Sequence, residues 1–361
     1  MLSSKKSSSS YDLVIHKADI KKRDYSYFVL GGDIGGTNAR LAVAGIKNGK
    51  VNLLLSFNLS SDNLDLTDAI NSTLDHCRRY YGIKVNSACL GIAAEIKDEN
   101  KPIKLINGRL VVDKKDIIKN TPISSLILMN DFEIVGYGLN TLGDPDIKVI
   151  KKGDHVKDTK ALIGAGTGLG KSIVLFNKER GIYVPIRSEG GHADFPIENK
   201  LELELIYFIK KYRKVRSVSY EDVLSGRGIE NIFLFLASSR RYRNTSLIEQ
   251  IKESDNMPEM ISKHRNKELI CRDTLDIFAS IYARAARNFA LESLSKGGIY
   301  IAGGIAVKNK DIFHEQMFNK IFNRNDRKEI VRILERIPVY LITDSHIALK
   351  GACFAAALTK H

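Results

Sequence analysis

A glycine-rich turn flanked by apolar runs occurs twice in this chain. It reads Gly32-Asp33-Ile34-Gly35-Gly36-Thr37-Asn38-Ala39-Arg40 and again Gly164-Ala165-Gly166-Thr167-Gly168-Leu169-Gly170. The first copy lies between the apolar runs 27–30 and 41–44, the second between 161–163 and 173–176. Both read as tight turns joining two strands. Glycine lets the backbone approach a ligand, and successive N–H groups of such a turn form a concavity for an anion. Thr37 and Thr167 each add a hydroxyl donor. Two such turns predict two clamps on one polyphosphate.

The segments around and beyond each turn repeat as well. Strands are predicted over 27–33, 38–45 and 51–59, with Asn48-Gly49 as the hairpin turn between the last two. Leu66, Ile70, Thr73 and Cys77 then share one helical face that ends at Gly82. Strands come next over 88–93 and 126–129, the latter running into Asn130-Asp131 and a helix from Phe132. The second copy places strands over 160–164, 171–177 and 182–186, with Glu179-Arg180-Gly181 as a hairpin turn. Its helices carry the faces Leu201, Leu205, Phe208, Ile209 and Leu275, Phe278, Tyr282, Ala285, Phe289. Strands over 299–302 and 338–342 and an apolar helix over 347–358 close the chain. The plan is a duplicated βββαβα unit with a cleft expected between the copies. At 361 residues the chain is long for one domain. The expected division is a tail over 1–26, a small α/β domain of 27–141 plus 343–361, and a large α/β domain of 142–342.

Composition bounds the class. Hydrophobic residues make up 43% and charged residues 27%, the proportions of a soluble globular protein. No apolar stretch approaches a membrane span, so no membrane partner is expected. The Ser/Lys-rich start lacks the apolar core of a secretory signal, and Asp12 and Asp19 argue against an organelle-targeting peptide. The four cysteines, Cys77, Cys89, Cys271 and Cys353, are scattered and never fall at metal-ligand spacing, which reads as a reducing, cytoplasmic setting without disulfides. The net charge of +14 is carried in pieces, at 210–216, 240–243 and 320–328. No aromatic-interleaved stripe, zinc-finger, RNA-recognition or homeodomain pattern accompanies it, so a solvated basic surface is expected and no specific nucleic-acid partner.

Seven blocks in order resemble the bacterial-type glucokinases. They are the two glycine turns, Met129-Asn130-Asp131-Phe132, Ser188-Glu189-Gly190-Gly191-His192-Ala193-Asp194-Phe195, Val223-Leu224-Ser225-Gly226, Ile301-Ala302-Gly303-Gly304-Ile305 and Ile337-Pro338-Val339-Tyr340-Leu341. The matches run from about Gly31 to Gly351. The resemblance implies a two-lobed actin-like ATPase (ribonuclease H-like) α/β fold, ATP- and Mg²⁺-dependent phosphorylation of D-glucose to glucose 6-phosphate, and lobes that close to expel water. A homodimer rests on the resemblance alone.

The resemblance also assigns roles. Asp131 matches the general base, although Asn-Asp before a helix is equally an N-cap pattern. Glu189 and His192 match groups that hold glucose hydroxyls, a task suited to a carboxylate that accepts hydrogen bonds from two hydroxyls and an imidazole that accepts from one and donates to another. Glu221 matches a further sugar-binding carboxylate and reads otherwise as a helix-surface glutamate. Asn130 orients the sugar beside Asp131. Asn107 matches another sugar-contacting asparagine, yet Asn-Gly is also an ordinary turn. Asp33 matches the acidic group near Mg²⁺, and one carboxylate plus phosphate oxygens suffices for that ion. Gly35, Gly36, Thr37, Asn38, Gly164, Gly166, Thr167 and Gly168 would cradle the phosphates. Gly303 and Gly304 match the adenosine-contacting turn. Arg40 reaches phosphate or faces outward from its strand.

Two departures bear on the sugar. Arg187-Ser188 stands where the family has Pro-Gly, and Arg109-Leu110 replaces an aromatic after the sugar-side asparagine. A kinase of another hexose on the same machinery therefore stays open, as does a non-catalytic sugar sensor. No cysteine cluster comes after His192, so no structural zinc is expected.

Overall fold

The computed structural model describes residues 11–105, 110–239, 241–242 and 245–360. They divide into two compact units, Met1–Gly143 with Ile182–Pro185 and Asp344–His361, and Asp144–Gly181 with Ile186–Thr343.

The first unit begins with four strands, β1 (Asp12–Ile15), β2 (Tyr27–Ile34), β3 (Asn38–Lys47) and β4 (Lys50–Ser60). Helix α1 (Leu66–Tyr81), strand β5 (Ser87–Ile92), the short ribbon β6 (Ile103–Lys104) and β7 (Val111–Val112), and α2 (Lys114–Asn120) come next. Strand β8 (Ser125–Asn130) then runs straight into α3 (Asp131–Gly138). The sheet order is β1-β4-β3-β2-β5-β8. Its first four strands pair antiparallel, while β2, β5 and β8 run parallel.

Local chemistry accounts for the turns. Asn48 (φ 50) and Gly49 (φ 72) both take the left-handed region that a two-residue hairpin turn requires. Asp65 caps α1 by accepting the Asp68 N–H, and Gly82 (φ 64) stops it in the left-handed conformation. Along β3 the period-2 alternation sends Leu41 and Val43 into the cluster that α1 completes, and Ala42 and Ala44 into a second cluster with Ile134, Leu349 and Ala352. The small residues on that second face let a helix press close. A Cβ on Gly31 would lie 2.7 Å from the Cys353 sulfur.

The start of the chain departs from the sequence expectation. Residues 12–15 do not belong to a tail: they form β1, which pairs with β4 from Asp12↔Asn58 to Ile15↔Leu55. The side chain of His16 then reaches Ser56 Oγ at 2.9 Å.

In the second unit β9 (Ile147–Lys151) precedes β10 (Lys160–Ala165) and β11 (Leu169–Asn177), and the chain then forms β12 (Ile182–Ile186), of which Ile182–Pro185 belong to the first unit. Five helices come after them, α4 (Lys200–Arg213), α5 (Gly226–Ala237), α6 (Ser246–Lys252), α7 (Met257–His264) and the long α8 (Leu269–Ser293). Next are β13 (Ile299–Ala302), α9 (Gly304–Lys308), α10 (Glu315–Phe322), α11 (Lys328–Arg336) and β14 (Val339–Ile342). Strand order runs β11-β10-β13-β14-β9. The β10–β11 hairpin is antiparallel, and β10, β13 and β14 are parallel, so the arrangement of β3, β2, β5 and β8 recurs. Helix α8 buries Phe278, Tyr282 and Phe289 in the core, and the Tyr282 hydroxyl donates to the Ile163 carbonyl at 3.2 Å. The closing helix α12 (Ile347–Ala357) belongs to the first unit.

All four cysteines are free and buried. Among the described residues no helix is long and apolar enough to cross a membrane.

Candidate active site

In the first unit the glycine turn joins β2 to β3. The Gly35 N–H donates to the Asn38 carbonyl at 3.0 Å, and a Cβ on Gly35 would lie 3.2 Å from that oxygen. Ser61 pins the turn from behind: its N–H donates to the Thr37 carbonyl (2.9 Å) and its hydroxyl to the Gly35 carbonyl (2.8 Å). Thr37 and Asn38 remain exposed at the tip. Asp33, at the end of β2, carries an arginine partner. Arg40 Nε donates to Asp33 Oδ2 at 3.2 Å, Arg40 Nη2 reaches the same oxygen, and Arg40 Nη1 donates to the Ser345 carbonyl at 3.3 Å. A hollow of about 630 Å³ is lined by Asp33, Gly35, Asn38, Arg40 and Asn58 among others.

Asp131 lies one residue past β8 and opens α3. Register fixes its place: Asp33 pairs with Gly91 on β5, and Gly91 with Met129 on β8. Both carboxylates therefore stand at the carboxyl ends of parallel strands, where open α/β sheets bind ligands. The N-cap reading of Asn130-Asp131 holds. Asn130 is the N-cap, with its side-chain oxygen accepting the Phe132 N–H at 2.9 Å, and Asp131 Oδ1 accepts the same N–H at 2.9 Å. Hydrogen bonds to the Asp131 carboxyl from the Phe132 and Asp131 N–H groups and from the Asn130 side chain favour the ionised acid. Burial outweighs them, and with the Asp33 charge it pushes the Asp131 carboxyl up to about 6.

Close packing sets α3 on the sheet. A Cβ on Gly91 would lie 2.2 Å from Ile134 Cδ1, and one on Gly351 would lie 1.8 Å from the Ile134 carbonyl. Glycine at both positions lets α3 sit against β5 on one side and α12 on the other.

In the second unit the glycine turn closes on itself, with the Gly166 N–H donating to the Gly168 carbonyl at 2.8 Å. The start of α5 abuts it: the Gly226 N–H donates to the Gly166 carbonyl at 2.9 Å. Helix N-termini and nested N–H groups are both suited to phosphate. Gly303 (φ 94) must be glycine twice over, because its φ is left-handed and a Cβ would lie 2.3 Å from the Ala165 carbonyl. It thereby seats the turn from β13 to α9 against the end of β10, just before Gly166. Gly304 borders open space.

The turn over 190–192 comes directly after Glu189. The His192 N–H donates to the Glu189 carbonyl at 2.9 Å, and both side chains are exposed, with His192 Nε2 3.8 Å from Glu189 Oε2. Glu221 is different from the helix-surface residue that the sequence allowed. It precedes α5, is mostly buried, and its Oε2 accepts the Leu169 N–H at 2.9 Å while Oε1 accepts from Arg227 Nη2 at 3.2 Å. The structure thus brings Gly164, Gly166, Thr167, Gly168, Glu221 and the 190–192 turn into one neighbourhood. Asn107 lies outside the described residues.

Sequence reasoning missed Ser61 and Arg227. Arg227 had a readable signal, since a cation in the first turn of a helix opposes the helix dipole and calls for an acidic partner. Among the described residues no group of three or more His, Cys, Asp or Glu gathers as a metal cage. A site for Mg²⁺ does not need one, because that ion is held by one or two carboxylates with substrate phosphates and water.

The family model for glucokinase matches residues 30–359. The glucokinase of Trichormus variabilis is 31% identical over 351 aligned residues that cover 91% of this chain and 98% of that protein. Among solved structures, the glucokinase of an Antarctic psychrotroph superposes with a TM-score of 0.76 at 25% identity, covering 92% of this chain and 99% of the other. A Balamuthia mandrillaris glucokinase in complex with glucose gives a TM-score of 0.71 at 23% identity, covering 92% and 94%. With the repeated strand order and the two glycine turns, these matches place the chain in the glucokinase family, ATP-dependent hexose kinases built on the actin-like ATPase fold.

Proposed function

We propose that the chain phosphorylates D-glucose at its 6-hydroxyl, using ATP and yielding glucose 6-phosphate and ADP, with Asp131 as the general base. The observation that supports this reading best is Asp131 itself, a carboxylate at the end of a parallel strand whose surroundings push it up to about 6. A base at that level is ionised at neutral pH yet takes a proton readily as the hydroxyl oxygen bonds to phosphorus. Asn130 holds the start of α3 and so fixes the direction of Asp131. In the second unit Glu189, His192 and Glu221 are the sugar-binding groups, and the turn at Gly164, Gly166, Thr167 and Gly168 offers N–H donors to phosphate. Gly35, Gly36, Thr37 and Asn38 do the same in the first unit. Gly303 and Gly304 take the adenosine side.

The residues present fit Mg²⁺, with Asp33 as its carboxylate, directly or through water. The ion would neutralise phosphate charge there. Arg40 pairs with Asp33, so the ion would share that carboxylate with the arginine.

Comparing the native chain with Asp131→Ala in glucose, ATP and Mg²⁺ tests the reading. A fall in kcat of roughly 10²–10⁴ is expected, with the KM for glucose moving far less. A variant that keeps its turnover would remove Asp131 from the role of base. No product from glucose, with product from another hexose, would transfer the reading to that sugar.

A further inference from the structure

Three segments distant in sequence close a ring in the second unit. The Leu169 N–H donates to Glu221 Oε2 at 2.9 Å, and the Glu221 N–H donates to the Gly191 carbonyl at 2.9 Å. Gly191 in turn lies so close to the Leu169 carbonyl that a Cβ there would stand 2.1 Å from it. Phosphate turn, Glu-Gly-Gly-His turn and the loop before α5 therefore share one joint. The Glu221 carboxylate also fills the space beside Gly168, where a Cβ would lie 2.6 Å from Oε2. Arg227 aims that carboxylate, its Nη2 lying 3.2 Å from Glu221 Oε1 and 3.2 Å from Asp222 Oδ1.

We infer that Glu221, positioned by Arg227, couples the sugar and nucleotide sites, because one carboxylate serves the sugar hydroxyls and also holds the geometry of the second glycine turn. The inference rests on the proposed function and adds a role to it. An ionised carboxylate offers about four lone-pair sites, and here each oxygen already has one protein donor. A sugar hydroxyl adds a further bond to a group that is already wedged under the turn. It rigidifies the Leu169 amide and pre-orders the N–H groups that a phosphate would meet. Coupling of this kind is reciprocal, so nucleotide must tighten sugar by the factor by which sugar tightens nucleotide. Arg227 is the positioning residue, acting through its ion pairs with Glu221 and Asp222.

The test is calorimetric titration of the full chain with the Mg²⁺ complex of AMPPNP, with and without saturating glucose. It compares wild type, Glu221→Ala, Glu221→Gln, Arg227→Met and Arg227→Lys, each checked by its Tm. In wild type glucose should tighten AMPPNP at least about threefold. Arg227→Met and Glu221→Ala should weaken AMPPNP by about three- to thirtyfold with no sugar present and remove the effect of glucose. Glu221→Gln keeps an acceptor for the Leu169 N–H and should restore most of the sugar-free nucleotide affinity, and Arg227→Lys should restore part of it. Should Glu221→Ala fail to fold, the half-exposed Arg227 supplies the deciding variant. Sugar-free AMPPNP affinity within twofold of wild type in Arg227→Met overturns the coupling, however far glucose affinity falls. Wild-type protein that binds neither glucose nor AMPPNP overturns the proposed function and the coupling together, whereas wild type that binds both and variants that match it overturn the coupling alone.

Discussion

Asp33 ends β2 and Asp131 sits just past β8, in the same parallel array, and the charge of the first adds to the burial of the second in pushing the Asp131 carboxyl up to about 6. Both acids stand at the carboxyl ends of parallel strands, Asp33 paired with Arg40 and Asp131 raised chiefly by burial. Fold and chemistry meet there, since the parallel register of β2, β5 and β8 sets both positions.

The first prediction concerns the acid limb of the pH profile. If Asp131 accepts the hydroxyl proton, kcat/KM for glucose should fall about tenfold per pH unit below roughly pH 6, as the free enzyme's base becomes protonated. Asp33→Asn removes the charge that helps raise Asp131, so the limb should move to lower pH even as the overall rate drops. Burial is the larger cause and remains, so the midpoint should stay above the ordinary aspartate value near 4. A limb that does not move in Asp33→Asn would uncouple the two acids.

The second prediction is about stability. A carboxyl raised from 3.8 to about 6 binds its proton more tightly in the folded chain than in the unfolded one. Its ionisation therefore costs stability as pH rises through that window, and the full cost is present above about pH 6. Asp131→Asn keeps an oxygen for the Phe132 N–H and removes the buried charge. It should raise stability by about 1–3 kcal/mol at pH 7.5 and by little at pH 4. Thermal unfolding at the two pH values checks this, with a gain of a few degrees expected only at the higher one. The same variant should be nearly inactive, which would mark Asp131 as a residue kept for function at the expense of the fold.

Much of this architecture is readable from local steric rules. Asn48-Gly49 and Gly82 announce themselves because only a few residues tolerate those backbone conformations. Strand β1 cannot be read in the same way. Asp12-Leu13-Val14-Ile15 comes after a Ser/Lys-rich start, and what makes it a strand is an edge offered by β4 some forty residues later. The acid at Glu221 is found through the resemblance, but its hold on Leu169 spans 52 residues of sequence, a distance over which pattern carries no register. The Arg40–Asp33 pair is likewise a product of strand pairing, each residue facing the other across the β2–β3 hairpin.

The third prediction tests whether helix packing positions the base. Gly351 of α12 meets the backbone of α3, and a Cβ there would lie 1.8 Å from the Ile134 carbonyl and 2.6 Å from the Gly138 nitrogen. Backbone cannot rotate away as a side chain can, so Gly351→Ala must push the two helices apart. Overpacking of this kind costs roughly 1–3 kcal/mol or more. Because Asp131 is the first residue of α3, kcat should fall along with Tm. Unchanged Tm would contradict the close approach, and lowered Tm with unchanged kcat at a temperature where the variant is folded would free Asp131 from dependence on α12.

The fourth prediction separates two adjacent glycines that the sequence presents as one motif. Gly303 has φ 94, and a Cβ on it would lie 2.3 Å from the Ala165 carbonyl, whereas Gly304 begins α9 with nothing within 4 Å. Gly303→Ala should therefore destabilise the second unit by straining the backbone and displacing the end of β10. Gly304→Ala meets no such obstacle, and alanine in a helix is favoured over glycine by about 0.5–1 kcal/mol, so Tm should hold or rise slightly. If the open side of Gly304 is where adenosine approaches, the added methyl group occupies that space. Gly304→Ala should then raise the KM for ATP several-fold while leaving the KM for glucose and the Tm near their wild-type values. Steady-state kinetics with each substrate varied in turn decides the matter: an unchanged KM for ATP in Gly304→Ala would move the adenosine contact away from this turn, and a parallel rise in both KM values would point to a displaced turn rather than an obstructed one.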